Sequence, residues 1–510
     1  MLQLKNVIAC IFLITVSFCQ LNAQHKIEQW DYFEISLKGT KSGNPFTDVK
    51  LSAEIRHADK TVTVHGFYDG EGVYKIRFMP DRKGRWSYVT SSNRKELNGK
   101  KGKFEAVAAT EGNNGPVVVK NQYHFSYSNN KPYLPLGTTC YAWLHQDEKL
   151  QEQTLQTLKE SPFNKLRMTV FPKYFDYNRA EPQLYPYVKK ADGSWDFTRF
   201  NPAFFRNIEK RVKDLQALNI EADIILFHPY DKGHWGFDQM PREASLHYLN
   251  YVVARLSAFR NVWWSMANEF DLMKHKSLED WESYFALIQE KDPYKHLASI
   301  HNGDINVLYD HSKPYITHVS VQSPNLKEAI SWRKFGKPVI NDECEYEGNL
   351  PMPWGNISGE ELVHRAWQGY GYGIYVGHSE SFEDNVIWWS HGGELKGESA
   401  ARFAFLKQVM QETSPEGLDV FEPDNWLWLR FAAAKGDSAF VYYFGEHQPA
   451  RWHFIHGKKT AEYSVDVIDT WNMTINKVEG KFKNGDSIPL PGKPNIALRL
   501  MEIKDRAGAQ

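Results

Sequence analysis

Residues 261–271 read NVWWSMANEFD. The stretch runs as a buried strand through Val262, Trp263, Trp264 and Met266, then turns polar at Asn268, Glu269 and Asp271. A core strand that ends by setting an amide beside a carboxylate has its C-terminal end facing something other than core. Seven more apolar runs accompany it: Tyr133–Gly137, Lys165–Phe171, Ala222–Phe227, Leu297–Ile300, Ile316–Val321, Pro338–Ile340 and Gly373–Val376. With Val262–Ala267 they make eight, each followed by a helical stretch or a long loop. Parallel strands covered on both faces read as continuous apolar runs. Eight such units predict an α/β chain with a (β/α)8 TIM barrel over residues 125–420.

The flanks read differently. Between 25 and 118, Val49, Leu51, Ala53 and Ile55 alternate with polar neighbours, as do Tyr74, Ile76 and Phe78. That is the period of half-buried strands and predicts an N-terminal β-sandwich. Tyr68-Asp69-Gly70 and Asp81-Arg82-Lys83-Gly84 punctuate the runs as turns. Over 425–505, Trp426–Phe431, Ala439–Phe444, Tyr463–Asp469 and Ala497–Leu500 predict a small C-terminal β-sandwich.

Composition narrows the partners. A formal net charge of −1 on 510 residues gives no ground for binding nucleic acid or an anionic membrane. The N-terminal MLQLKNVIACIFLITVSFCQLNAQ has Lys5, an apolar Val7–Phe18 and a cleavage-like Leu21-Asn22-Ala23. It predicts a signal peptide over residues 1–23 and an exported protein, periplasmic or extracellular. That apolar run is short for a membrane span. Phe18 makes a poor approach to a lipidated Cys19, so a cell-surface lipoprotein fits less well. No later segment could cross a bilayer, so the mature chain is expected to carry no transmembrane segment. Cys140 and Cys344 remain, too few for a disulfide framework or a structural zinc site. Nothing in the sequence sets the oligomeric state.

In a (β/α)8 barrel the chemistry sits on the loops after the strands. Counting back from Glu269 in twos gives Ala267, Ser265 and Trp263, so Glu269 is expected at the barrel mouth and Asn268, of opposite parity, at the rim. A second stretch, KPVINDECEYEG at 337–348, places Glu343 on one face with Asn341 and Val339. The two glutamates lie 74 positions apart (343 minus 269), about three βα units, and so on the fourth and seventh strands. Opposite strands would aim both across one cleft. Glu345 keeps the same parity and is the alternative to Glu343.

One further stretch carries a resemblance. GFYDGEGVYKIRFMPDRKGRWSYVTSS, residues 66–92, closely resembles the small N-terminal sandwich that precedes certain bacterial glycosidase barrels. The strand ends resemble the retaining clan of (β/α)8 glycosidases, whose acid/base follows an asparagine on strand 4 and whose nucleophile ends strand 7. Together with the sandwich they resemble the apiosidase-like barrels. The resemblance implies a retaining glycoside hydrolase acting on a poly- or oligosaccharide by double displacement, two carboxyls about 5–5.5 Å apart doing the chemistry. It assigns Glu269 as acid/base, Glu343 as nucleophile, Asn268 to the sugar hydroxyl beside the anomeric carbon and Arg167 to the nucleophile. Other strand ends offer His228, His301, Asn302, Gln322, Tyr346 and Trp389 as substrate ligands. The clan's usual tyrosine near Gln322 is absent. Two carboxylates supply both proton transfer and the covalent intermediate, so neither cofactor nor metal is expected. His228, His234 and His301 fit no compact ligand spacing. The competing reading is a non-catalytic glycan-binding protein on the same barrel, against which stands the presence of both carboxylates.

Overall fold

A computed structural model describes residues 25–384, 386–421 and 431–504. The N-terminal segment read as a signal, with Cys19, lies outside the described residues, as does most of Trp426–Phe431. The fold is a (β/α)8 barrel between two β-rich regions. Its strands are β1 (Gly137–Thr139), β2 (Lys165–Thr169), β3 (Glu221–Ile225), β4 (Val262–Ser265), β5 (Ala298–Ser299), β6 (Val319–Gln322), β7 (Val339–Glu343) and β8 (Tyr375–Val376). β1 to β5 pair in order, all parallel, and β6 to β8 do the same. A parallel bridge from Thr138 to His378 joins the last strand to the first. At the other seam the Thr317 amide donates to the Ala298 carbonyl at 2.9 Å.

The helices start where the sequence caps them. α1 (Glu148–Glu160) begins on Asp147, whose carboxylate accepts from the Leu150 amide, and α2 (Pro202–Ala217) on Asn201 with proline in its first turn. α3 (Arg242–Leu256) follows β3, and α4 (Leu278–Lys291) opens with a Ser277–Asp280 capping box. α5 (Ala329–Arg333), α6 (Gly359–Gly371) and α7 (Ser399–Thr413) follow strands six to eight.

One reading is corrected here. Tyr133–Gly137 is not the first barrel strand: Pro132–Tyr133 pairs antiparallel with His124–Tyr127, and the barrel begins at Gly137. Pro135 has no N–H to give a ladder, which separates the two. That hairpin sits beneath the barrel, with Phe125 against Trp263 at a ring separation of 5.5 Å. The barrel interior holds charge as well. Lys165, Arg167, Asp223, Ser320 and Asp342 are buried in an ionic layer, while Leu166, Met168, Ile224 and Trp264 belong to the apolar core cluster that includes the helices.

Before the barrel, seven strands between His25 and Val107 form one sheet over a core of Ile35, Ala53, Ile55, Ile76, Trp86 and Phe104. It docks through buried charges: Arg77 reaches Glu209 at 2.8 Å, and Arg255 reaches Asp69 at 2.8 Å and Glu209 at 2.6 Å. After the barrel, a six-stranded sheet spanning Asp419–Glu502 packs Val441, Tyr443, Ile468 and Ala497 into a cluster with Leu362 and Trp367 of α6.

Candidate active site

β4 ends at Ser265, and the chain beyond it no longer alternates. Glu269 takes a left-handed backbone, φ 49° and ψ 55°, which non-glycine residues adopt only when their surroundings hold them there. The turn abolishes the parity that would have set Asn268 at the rim. Asn268 is instead wholly buried: its Oδ1 accepts from Arg167 Nη2 at 2.7 Å and its Nδ2 donates to the Tyr230 hydroxyl at 2.8 Å. Amide and carboxylate both turn inward.

β7 departs from alternation too. Val321 pairs with Asn341 and Gln322 with Glu343, so Asp342 is skipped by a bulge. Asp342 and Glu343 therefore both reach the barrel interior, which a strict period of two forbids. Asn341 donates to the Ser323 carbonyl at 2.8 Å and takes no part in the site. Asp342 accepts from Lys165 at 2.8 Å and from Ser320 Oγ at 2.6 Å. Lys165 also meets Asp223 at 2.6 Å.

Glu343 lies above this layer. Its Oε1 accepts from Arg167 Nη1 at 2.8 Å and from the Tyr141 hydroxyl, and His301 Nε2 lies 3.2 Å away. Burial would raise the carboxyl. The charges of His301 and Arg167 and the hydrogen bonds from His301 and Tyr141 outweigh it, holding Glu343 well below the ordinary carboxylate range. Glu269 is driven the opposite way. Burial first, and then the Glu343 charge, raise it to about 7 against a Tyr230 hydrogen bond and Lys173.

The directions of these bonds fix His301. Ser320 has one proton and gives it to Asp342, a carboxylate already paired with Lys165. Its oxygen therefore accepts from His301 Nδ1, at 3.0 Å. Nε2 faces two oxygens, Glu343 Oε1 and, at 3.4 Å, Gln322 Oε1, whose amide nitrogen is committed to the Gly303 carbonyl. His301 thus links Ser320 to the Glu343 carboxylate. Lys165 meets Asp223 and Asp342, and Arg167 meets Glu343.

Above the two glutamates opens a pocket of about 720 Å³. Of the residues anticipated from sequence, Glu269, Glu343, Gln322, Tyr346 and Trp389 line it, together with Glu345. Arg167, Asn268 and His301 lie beneath, touching the glutamates or one another. His228 and Asn302 are not brought to the wall. His228 donates to the Phe171 carbonyl at 3.0 Å and accepts the Tyr230 amide at 3.1 Å, so it holds the loop that carries Tyr230. Asn302 ties its own loop to β6 through the Gln322 backbone. Glu345 is ion-paired with Arg365 at 2.8 Å.

Sequence reasoning missed Tyr141, Tyr230 and Lys173. Tyr141 follows β1 in GTTCYAW, and its hydroxyl donates to Glu343 Oε1. Lys173 sits two residues past Phe171, its Nζ 3.8 Å from the Trp389 ring centre, 4.2 Å from Tyr230 and 4.3 Å from Tyr141. A lone lysine past a strand end carries no signal in the sequence.

Among the described residues one buried trio, Glu347, His378 and Glu380, has the donors for a metal ion. Its carboxylates already serve backbone amides. Glu347 accepts from the Glu398 and Ser399 amides at 2.8 and 3.0 Å, and Glu380 from the Gly397 amide at 2.8 Å. The trio holds the start of α7 to the barrel.

Comparison with known proteins adds three family profiles. One described as the apiosidase-like catalytic domain matches residues 119–414. Two described as domains of unknown function, DUF5060 and DUF5605, match 26–93 and 428–501. A candidate glycoside hydrolase from Bacteroides vulgatus ATCC 8482 is 40% identical with a TM-score of 0.88, over 94% of this chain and 100% of its own. A family 5 glycoside hydrolase from the same organism shares the fold at 15% identity and a TM-score of 0.60, over 78% of this chain and 95% of its own. No curated protein matches the chain.

Proposed function

The chain belongs to the apiosidase-like family, and from that premise we propose that it is a retaining glycoside hydrolase acting on an oligo- or polysaccharide. The observation that carries the reading is the divergence of two carboxyls in one pocket, Glu269 raised to about 7 and Glu343 held low. One is kept protonated near neutrality and the other ionised, which are the states an acid and a nucleophile must start from.

Glu343 attacks the anomeric carbon as the glycosidic C–O bond breaks, and Glu269 passes its proton to the departing oxygen. Water then enters; Glu269 takes its proton as the hydroxyl oxygen attacks the same carbon and frees Glu343. Every proton is returned. Arg167, Tyr141 and His301 hold the nucleophile through its Oε1. Asn268, adjacent to Glu269 in the chain and fixed between Arg167 and Tyr230, is the residue that would orient a hydroxyl of the sugar. The chain works after export, its first 23 residues serving as the signal.

The test is to follow hydrolysis by proton NMR and identify the first anomer released. Release with the substrate's own configuration supports double displacement, and the opposite anomer ends it. Glu343→Gln should lose nearly all turnover while still binding the glycan. Undiminished turnover in that variant would falsify the assignment.

A further inference from the structure

Lys173 is buried completely, and its ammonium meets no hydrogen-bond acceptor among the described residues. Tyr141, Tyr230 and Trp389 close three sides of it with ring faces, and Phe175 stands at 5.4 Å. Cation–π contact offsets part of the cost of burying an ammonium, but it accepts none of the three N–H bonds, and unmet buried donors are costly. The remaining side borders the pocket that holds both glutamates.

The floor carboxylates Asp223, Asp342 and Glu343 already meet Lys165 and Arg167, whereas Lys173 makes no ion pair among the described residues and acts on Glu269 and Glu343 only through its field. The pocket wall leans the same way. Lys232 lies over the Phe175 ring at 5.2 Å, and Lys274 donates to the Asp271 carbonyl. Neither meets a carboxylate at ion-pair distance among the described residues. The acidic residues of the wall are quenched: Glu345 pairs with Arg365, and Asp238 is raised to about 8 by burial and by Asp231 beside it. Glu269, raised to about 7, is only partly ionised at neutrality.

Resting on the glycosidase reading above, we propose that the sugar seated against Glu269 and Glu343 carries an anionic group, a hexuronate carboxylate or a sulfate ester, held by Lys173. Lys232 and Lys274 at the mouth draw such a glycan in. Burial lowers the Lys173 ammonium to about 7, and an anion seated on it would restore its charge, so binding is linked to proton uptake at alkaline pH.

The experiment compares charged glycans with their own neutral derivatives. Uronate-bearing and sulfated polysaccharides are digested beside the same samples after carbodiimide–borohydride reduction of their carboxyls or solvolytic desulfation, and the reducing ends released are counted. Turnover should fall tenfold or more on removal of the charged group, and the treatment that matters tells carboxylate from sulfate. Lys173→Met should raise KM on the charged glycan more than on its uncharged derivative, with Lys173→Arg recovering part of the difference. Equal turnover with and without the charged groups, or equal damage from Lys173→Met on both, overturns the proposal and leaves the glycosidase reading intact. No reducing ends from any sample would sink both. The charge-removal arm uses the unmodified protein and stands even where a variant fails to fold.

Discussion

At the scale of single residues, the site keeps two carboxyls of the same chemistry apart in protonation. Glycosylation needs Glu269 protonated, so kcat/KM should fall as pH rises through about 7. The acid limb, set by Glu343, should lie well below the ordinary carboxylate range. His301 contributes through charge rather than contact with substrate. His301→Asn removes a cation 3.2 Å from Glu343 and should move the acid limb upward, with kcat/KM down about tenfold. A variant whose activity falls with the limb unmoved would show that His301 only packs. Glu269 also makes a stability prediction. Its folded pKa is raised, so the stability linked to its proton is complete below the ordinary carboxyl pKa and lost as pH rises through about 7. Glu269→Gln stays neutral throughout, and its advantage in Tm over the unmodified protein should grow from pH 5 to pH 8.5. A constant difference across that span would contradict the raised value.

At the scale of elements, the site depends on two strands that stop obeying their own period. The bulge at Asp342 sends two consecutive carboxylates inward, one to Lys165 and one to Arg167. Asp342→Asn leaves the fully buried Lys165 with half its counter-charge and should cost about 3–5 kcal/mol in urea unfolding, the toll of breaking a buried pair. A loss below 1 kcal/mol would mean that the bulge is held by backbone pairing alone. This departure from period also marks where reading the sequence runs out. Seven apolar runs, from Lys165–Phe171 to Gly373–Val376, were visible in order because burial on both faces of a parallel strand leaves a compositional trace; β1, Gly137–Thr139, holds no such run and was misplaced. Glu269 and Glu343 were visible because each ends such a run. Asn268 was misplaced because a left-handed turn at Glu269 is not written in residue type. Tyr141 and Lys173 were invisible because their importance arises from rings and charges brought together from three separate loops. His228 looked functional at a strand end, yet both its nitrogens serve the backbone.

At the scale of the whole molecule, the question is whether the N-terminal sheet is an appendage or part of one cooperative unit. Its contact with the barrel is a buried ionic knot, Arg77 and Arg255 both drawn to Glu209 and Arg255 also to Asp69, with Tyr251 donating to the Tyr68 carbonyl at 2.8 Å. Arg77 and Asp69 come from the sheet; Glu209 and Arg255 come from α2 and α3. Such a knot joins two bodies only while every charge in it is answered. Glu209→Gln leaves two guanidinium groups buried around a neutral amide, which should cost about 3–5 kcal/mol. The location of the loss is the informative part. Arg255 sits in the last turn of α3, the end of the helix that leads back to the start of β4 and away from the catalytic loops. Weakening the knot should therefore free the sheet before it disturbs the pocket. Calorimetry of the unmodified protein should give one transition for sheet and barrel together. In Glu209→Gln an earlier transition should separate, with amide exchange accelerating in Leu51–His57 while Val262–Ser265 stays protected. Turnover measured well below that transition should change little. Exchange rising equally in both strands, or turnover lost at low temperature, would show that the sheet and the catalytic pocket are held by the same contacts.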